Sequence, residues 1–160
     1  MEINLKSVFK YPSLFISTGF GIGLAPVAPG TFGSFLGAII FLLISHLYLS
    51  DFFMMGILLT VFVISQISIS LTLEKIDKED PQEVVMDEVL GMMITLMAIP
   101  PDPKWLIAAF IIFRIADIIK PWPASYFDAN YKNALGIILD DVFAAIYSII
   151  FIVILKYFLL

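Results

Sequence analysis

The sequence predicts an all-helical, polytopic membrane bundle, and two observations carry that expectation. Hydrophobic residues make up 61% of the 160 and charged residues only 14%, with a mean hydropathy of +1.02. A soluble domain of this size leaves too many residues facing water to hide so much apolar surface. Three sustained apolar runs, residues 32–49, 52–73 and 142–160, each approach the ~20 residues a helix needs to cross ~30 Å of hydrocarbon. No repeat, low-complexity tract or linker divides the chain, so residues 1–160 read as one domain.

The elements follow in order. The N-terminus carries Lys6 and Lys10, and an opening segment, residues 8–20, reads as an interfacial helix. A Gly/Pro-rich stretch, residues 19–34, leads into the first span, and the tight connection Ser50-Asp51 leads into the second. Residues 89–99 and 105–119 are apolar but too short to span comfortably, and Pro100-Pro101-Asp102-Pro103 joins them. They are expected either as a re-entrant hairpin or as helices buried in the bundle, beside about three spanning helices. Lys6, Lys10, Lys75 and Lys78 lie on the side that the positive-inside rule assigns to the cytoplasm. If the short hairpin returns to the side it left, residues 120–141 are cytoplasmic as well. Asp80, Asp87, Glu88, Arg114, Lys120, Asp128, Asp140 and Asp141 then gather near one face of the membrane.

Composition removes whole classes of chemistry. With no cysteine and His46 as the single histidine, thiolate metal sites, cysteine nucleophiles and histidine relays are excluded. A net charge of -5 argues against nucleic acid, whose phosphates call for a basic patch. Any reaction rests on carboxylates, Arg, Lys, hydroxyls or backbone.

Four constellations carry those groups. In Gly19–Ser34, glycines permit close backbone approach, and Thr31 or Ser34 opens a helix whose free N–H groups attract anions. A phosphate cradle and a simple capped turn are both consistent with this pattern. The segment is neither a Walker A loop nor a dinucleotide fingerprint. In residues 80–88, Asp87 and Glu88 open an apolar helix, where they complement its dipole or hold a divalent cation. Arg114, Asp117 and Lys120 recur every three residues on an otherwise apolar helix that Pro121 ends. Ionisable groups at such depth are costly in lipid and point to function, or else Arg114 and Asp117 neutralise each other. Finally, Asp140 and Asp141 precede the last span. One is explained as a cap, whereas two adjacent like charges require a cation or base to offset them. Together these parts suit phosphoryl transfer with a metal ion on a lipid headgroup.

The runs GFGIGLAPVAPGTFGS, DPQEVVMDEVLGMMITLMAIP, FRIADIIKPWP and GIILDD resemble, in the same order, the four signature blocks of the phosphatidylglycerophosphatase A family. The resemblance extends over residues 18–145. It implies an Mg2+-dependent lipid phosphatase, a phosphoric monoester hydrolase, in the bacterial cytoplasmic (inner) membrane with its active site facing the cytoplasm. Its expected reaction, in glycerophospholipid synthesis, converts phosphatidylglycerophosphate to phosphatidylglycerol and inorganic phosphate. Carried over residue by residue, it marks Thr31 and Ser34 with Arg114 and Lys120 as phosphate-binding. Asp80, Asp87, Glu88, Asp140 and Asp141 form the expected metal set, and Arg114, Asp117, Lys120 and Asp128 the catalytic set. Asp117 is left with three roles: orienting Arg114, binding metal, or serving as general base.

The rival from another class is a small transporter or channel subunit with Arg114, Asp117 and Lys120 along a polar path. It predicts charges spread through membrane depth, whereas the enzyme predicts them at one face. A lipid phosphatidyltransferase is disfavoured because its Asp-Gly-x-x-Ala-Arg arrangement is missing.

Overall fold

A computed structural model describes residues 1–76, 78, 81–100 and 102–159. Eight α-helices occur among them: α1 Leu5–Lys10, α2 Pro12–Ser17, α3 Pro29–Ser45, α4 Asp51–Leu73, α5 Met86–Met97, α6 Pro103–Ile119, α7 Ala124–Asn130 and α8 Ala134–Leu159. The all-helical membrane bundle expected from composition is present. Helices α4 and α8 have the length and apolarity to cross a bilayer, and α3, at 17 residues, is the shorter apolar companion.

The chain runs back and forth from one end of the bundle. Helices α3, α5 and α8 start at that end, and α4 and α6 return to it. Outward faces are apolar at helical spacing: Phe32, Phe35, Ile39 and Leu43 on α3, and Ile107, Ile111, Ile115 and Ile118 on α6. Such stripes belong against lipid chains rather than water.

Helix α5 is the axis. At 12 residues it is too short to span, and nine of them are buried. Of the two expectations for residues 89–99, burial within the bundle is therefore realised. Val89, Leu90 and Met93 pack with Leu58 and Ile69 of α4 and Ile138 of α8. Its opposite side packs Met92 and Leu96 against Ala109 and Phe113 of α6 and Ala144 and Ala145 of α8. In lipid such packing, rather than escape from water, holds helices together, and small residues let backbones approach. Gly33 and Gly37 of α3 do this: an added Cβ at Gly33 would sit 2.7 Å from Val85 Cβ, and one at Gly37 would sit 2.5 Å from the Val89 carbonyl oxygen.

Three boundaries differ from the sequence reading. The opening segment is two short helices, broken where Tyr11 is extended and Pro12 restarts the turn. Helix α3 starts at Pro29 behind Ala28, which sits in the left-handed region at φ 49°, so neither Thr31 nor Ser34 opens it. Helix α8 starts at Ala134, well ahead of the expected run, and places Asp140 and Asp141 inside the helix rather than before it. Two acids are tolerated there because both side chains line an internal cavity instead of facing lipid.

Candidate active site

At the end where α3, α5 and α8 begin, a cavity of about 430 Å3 is lined by Ala28, Pro29 and Gly30 at the start of α3, by Asp87 and Glu88, by Arg114, Asp117 and Lys120, by Asp128, and by Asp140 and Asp141. Residues up to 113 positions apart in the chain thus meet in one place. The charges are gathered at one end, which is the arrangement the enzyme predicts and the polar path does not. Asp80 lies outside the described residues. Thr31, on the third residue of α3, is partly buried and does not line the cavity; its N–H donates to the Ala28 carbonyl at 2.9 Å.

Asp87 and Glu88 occupy the first turn of α5, where its dipole favours negative charge. The entrance to α5 is fixed by Val85, whose N–H donates to the Ser17 carbonyl at 2.9 Å. Asp141 approaches from α8. One carboxylate oxygen from each of Asp87, Glu88 and Asp141 can be chosen so that all lie within 4.8 Å of one another. Asp87 Oδ1, Glu88 Oε2 and Asp141 Oδ2 are moreover buried without a hydrogen-bond partner. Buried, unpartnered carboxylate oxygens are expensive, and three carboxylates this close to one another offer the donor set that a hard divalent cation requires. The electrostatics agree. Burial, followed by the neighbouring Glu88 charge, raises Asp87 well above the usual carboxylate range. Burial and then the Asp141 charge push Glu88 up to about 8. A bound cation relieves both effects by supplying the missing positive charge.

Arg114 stands beside these acids. Its Nη1 lies 2.5 Å from Asp117 Oδ2 and donates to Ser34 Oγ at 3.1 Å, while Ser34 Oγ donates to the Gly30 carbonyl at 3.0 Å. The mutual neutralisation of Arg114 and Asp117 considered from sequence is therefore real, yet it leaves Arg114 Nε buried without a partner. Ser34 does not line the cavity; it reaches the site through Arg114.

Lys120 departs from the regular three-residue spacing. It sits past the last turn of α6 at φ 47°, a left-handed conformation costing a non-glycine residue about 1–2 kcal/mol. Its ammonium lies 2.8 Å from Asp128 Oδ1 and 2.5 Å from Asp140 Oδ2. Although burial alone would depress it, the hydrogen bonds it donates to Asp128 and then Asp140 hold Lys120 above its ordinary range and fully charged. Asp140 Oδ1 also accepts the Asp141 N–H at 2.9 Å, so this carboxylate faces Lys120 rather than the converging triad. Asp128 comes from the short helix α7.

Gly30, within the glycine-rich stretch expected to allow close backbone approach, lines the cavity: an added Cβ would stand 2.1 Å from Glu88 Oε1. Sequence reasoning passed over other lining residues. Gln82, Tyr131 and Lys132 also line the cavity, and no local pattern marks them.

Comparison with known proteins gives the family. The phosphatidylglycerophosphatase A family profile matches residues 15–156. A Bacteroides thetaiotaomicron protein named putative phosphatidylinositol-3-phosphatase is 38% identical over 156 residues, covering 92% of this chain and 98% of its own. Phosphatidylglycerophosphatase A of Escherichia coli K12 is 39% identical over 83% of this chain and 77% of its own, and that of Haemophilus influenzae 37% identical over 93% and 91%. No solved structure matches the chain. With most of its length matched by the profile and by relatives of this identity, the chain belongs to the phosphatidylglycerophosphatase A family and is a phosphatase.

Proposed function

We propose that the chain removes the terminal phosphate of phosphatidylglycerophosphate, giving phosphatidylglycerol and inorganic phosphate, at the cytoplasmic face of a bacterial inner membrane. The observation that carries this reading is the approach of carboxylate oxygens from Asp87, Glu88 and Asp141 to within 4.8 Å of one another, in a cavity that Arg114 also lines, with each of these four side chains keeping a buried polar atom that has no partner. Lys6, Lys10, Lys75, Lys78 and Lys132 belong to segments at that end, and this excess of lysine supports the cytoplasmic orientation.

Asp87, Glu88 and Asp141 would hold Mg2+. When bound, that ion polarises a phosphoryl oxygen and lowers the pKa of water. Arg114, braced by Ser34 and Asp117, offers its remaining N–H groups to the phosphate and offsets charge that grows as the P–O bond breaks. Lys120, kept protonated by Asp128 and Asp140, adds positive charge on the other side of the acids. In the overall step a water oxygen bonds to phosphorus, the bond from phosphorus to the glycerol oxygen breaks, and a proton passes from the water to the departing alkoxide. Pre-positioned groups are the protein's main contribution to phosphoryl transfer.

The test is phosphate release by purified protein from phosphatidylglycerophosphate, phosphatidic acid and phosphatidylinositol 3-phosphate, each with Mg2+ and with EDTA. The last lipid is included because of the name carried by the Bacteroides relative. Phosphatidylglycerophosphate should be cleaved with the highest kcat/KM, and only with Mg2+. Preference for another lipid would reassign the substrate, and full turnover in chelator would reject the metal.

A further inference from the structure

We infer that Lys132 reads the second phosphate of the substrate, meeting the phosphodiester of a phospholipid whose phosphomonoester lies among Asp87, Glu88, Asp141 and Arg114; this rests on the function proposed above. Three cations line the cavity among the described residues: Arg114, Lys120 and Lys132. Arg114 is committed to Asp117, and Lys120 to Asp128 and Asp140. Lys132 has neither an ion pair nor a side-chain hydrogen bond among the described residues, and it is exposed at the rim while Asp141 and Asp87 lie buried in the floor.

Its backbone, by contrast, is held. Tyr131 N–H donates to the Phe127 carbonyl at 2.9 Å, and the rings of Phe127 and Phe143 stack at 5.2 Å, fastening the end of α7 to α8. Asn133 Oδ1 accepts the Gly136 N–H at 2.9 Å. Gly136 itself lies so close that an added Cβ would fall 1.9 Å from the Tyr131 carbonyl oxygen. A long, unpaired cation on a fixed turn at the mouth of an anion site is placed to select by charge at a distance from the reacting phosphorus. Phosphatidylglycerophosphate carries a phosphodiester in addition to its phosphomonoester, whereas phosphatidic acid carries the monoester alone. Lys132 therefore separates the two lipids.

The experiment measures kcat/KM for both lipids in neutral detergent, where the only phosphodiester is the substrate's own, using unsubstituted protein and the Lys132→Met, Lys132→Arg and Lys75→Met variants. Lys75 is exposed, does not line the cavity and donates from its ammonium to the Leu71 carbonyl, so it controls for general surface charge. In Lys132→Met the preference for phosphatidylglycerophosphate over phosphatidic acid should fall roughly two- to fivefold through KM, the scale of one solvated charge contact. Lys132→Arg and Lys75→Met should keep it. An unchanged preference in Lys132→Met, or an equal loss on both lipids, overturns the inference. Failure of the unsubstituted protein to cleave phosphatidylglycerophosphate overturns the proposed function, and this inference with it.

Discussion

Gly30→Ala is a one-methyl perturbation with a calculable effect. The new Cβ would stand 2.1 Å from Glu88 Oε1 and 3.1 Å from Arg114 Nη2, where ordinary contact begins at 3.4 Å. Restoring ordinary contact by moving the Glu88 carboxylate, the free end of a flexible side chain, takes a shift of about 1.3 Å. A misplacement of about 1 Å in a reacting constellation costs on the order of 100-fold in rate, equivalent to about 2.7 kcal/mol of barrier. Folding should not suffer, since Ala in a helix is favoured over Gly by about 1 kcal/mol. Gly56→Ala, in α4 with nothing within 4 Å of its added Cβ, supplies the control: the same helix gain, with turnover unchanged. The assay is steady-state phosphate release, with thermal unfolding in detergent alongside. Turnover in Gly30→Ala within threefold of the unsubstituted protein would show that Glu88 is not held where the reaction needs it.

Other perturbations separate the parts of the site. Asp87→Asn and Asp141→Asn should each lower kcat by at least ~100-fold with membrane insertion intact, and isothermal titration should show weakened Mg2+ binding. Ser34→Ala removes a brace of Arg114 without touching the cavity wall and should cost roughly tenfold in kcat/KM, with Mg2+ affinity preserved. Gly37→Ala drives a methyl against the Val89 carbonyl oxygen at 2.5 Å; overpacking of this kind costs about 1–3 kcal/mol and should appear as a lower Tm.

What the sequence revealed and what it hid follow from the range of the forces involved. Apolar runs announced α4 directly, because span length is a local property. The start of α8 was missed by eight residues, since Asp140 and Asp141 interrupt the apolar run and only the cavity, a tertiary feature, makes them acceptable inside a helix. Arg114, Asp117 and the acidic pairs stood out because charge in an apolar stretch is conspicuous. Their pairing was not legible: Lys120 turns away from Arg114 and Asp117 to Asp128 and Asp140 through a left-handed backbone residue that no spacing rule announces. Thr31 and Ser34 looked equivalent in their motif, yet one lies off the cavity and the other works through Arg114. Lys132 carried no signal at all, because an isolated lysine in a polar loop looks like any other.

The apolar stripes on α3 and α6 have a kinetic consequence. With hydrocarbon against its flanks and the cavity at the helix ends, the protein meets its lipid by lateral diffusion within one leaflet. Its saturation is governed by the mole fraction of substrate in that leaflet or micelle, so adding neutral detergent at constant total lipid will slow the reaction even though the bulk concentration never changes.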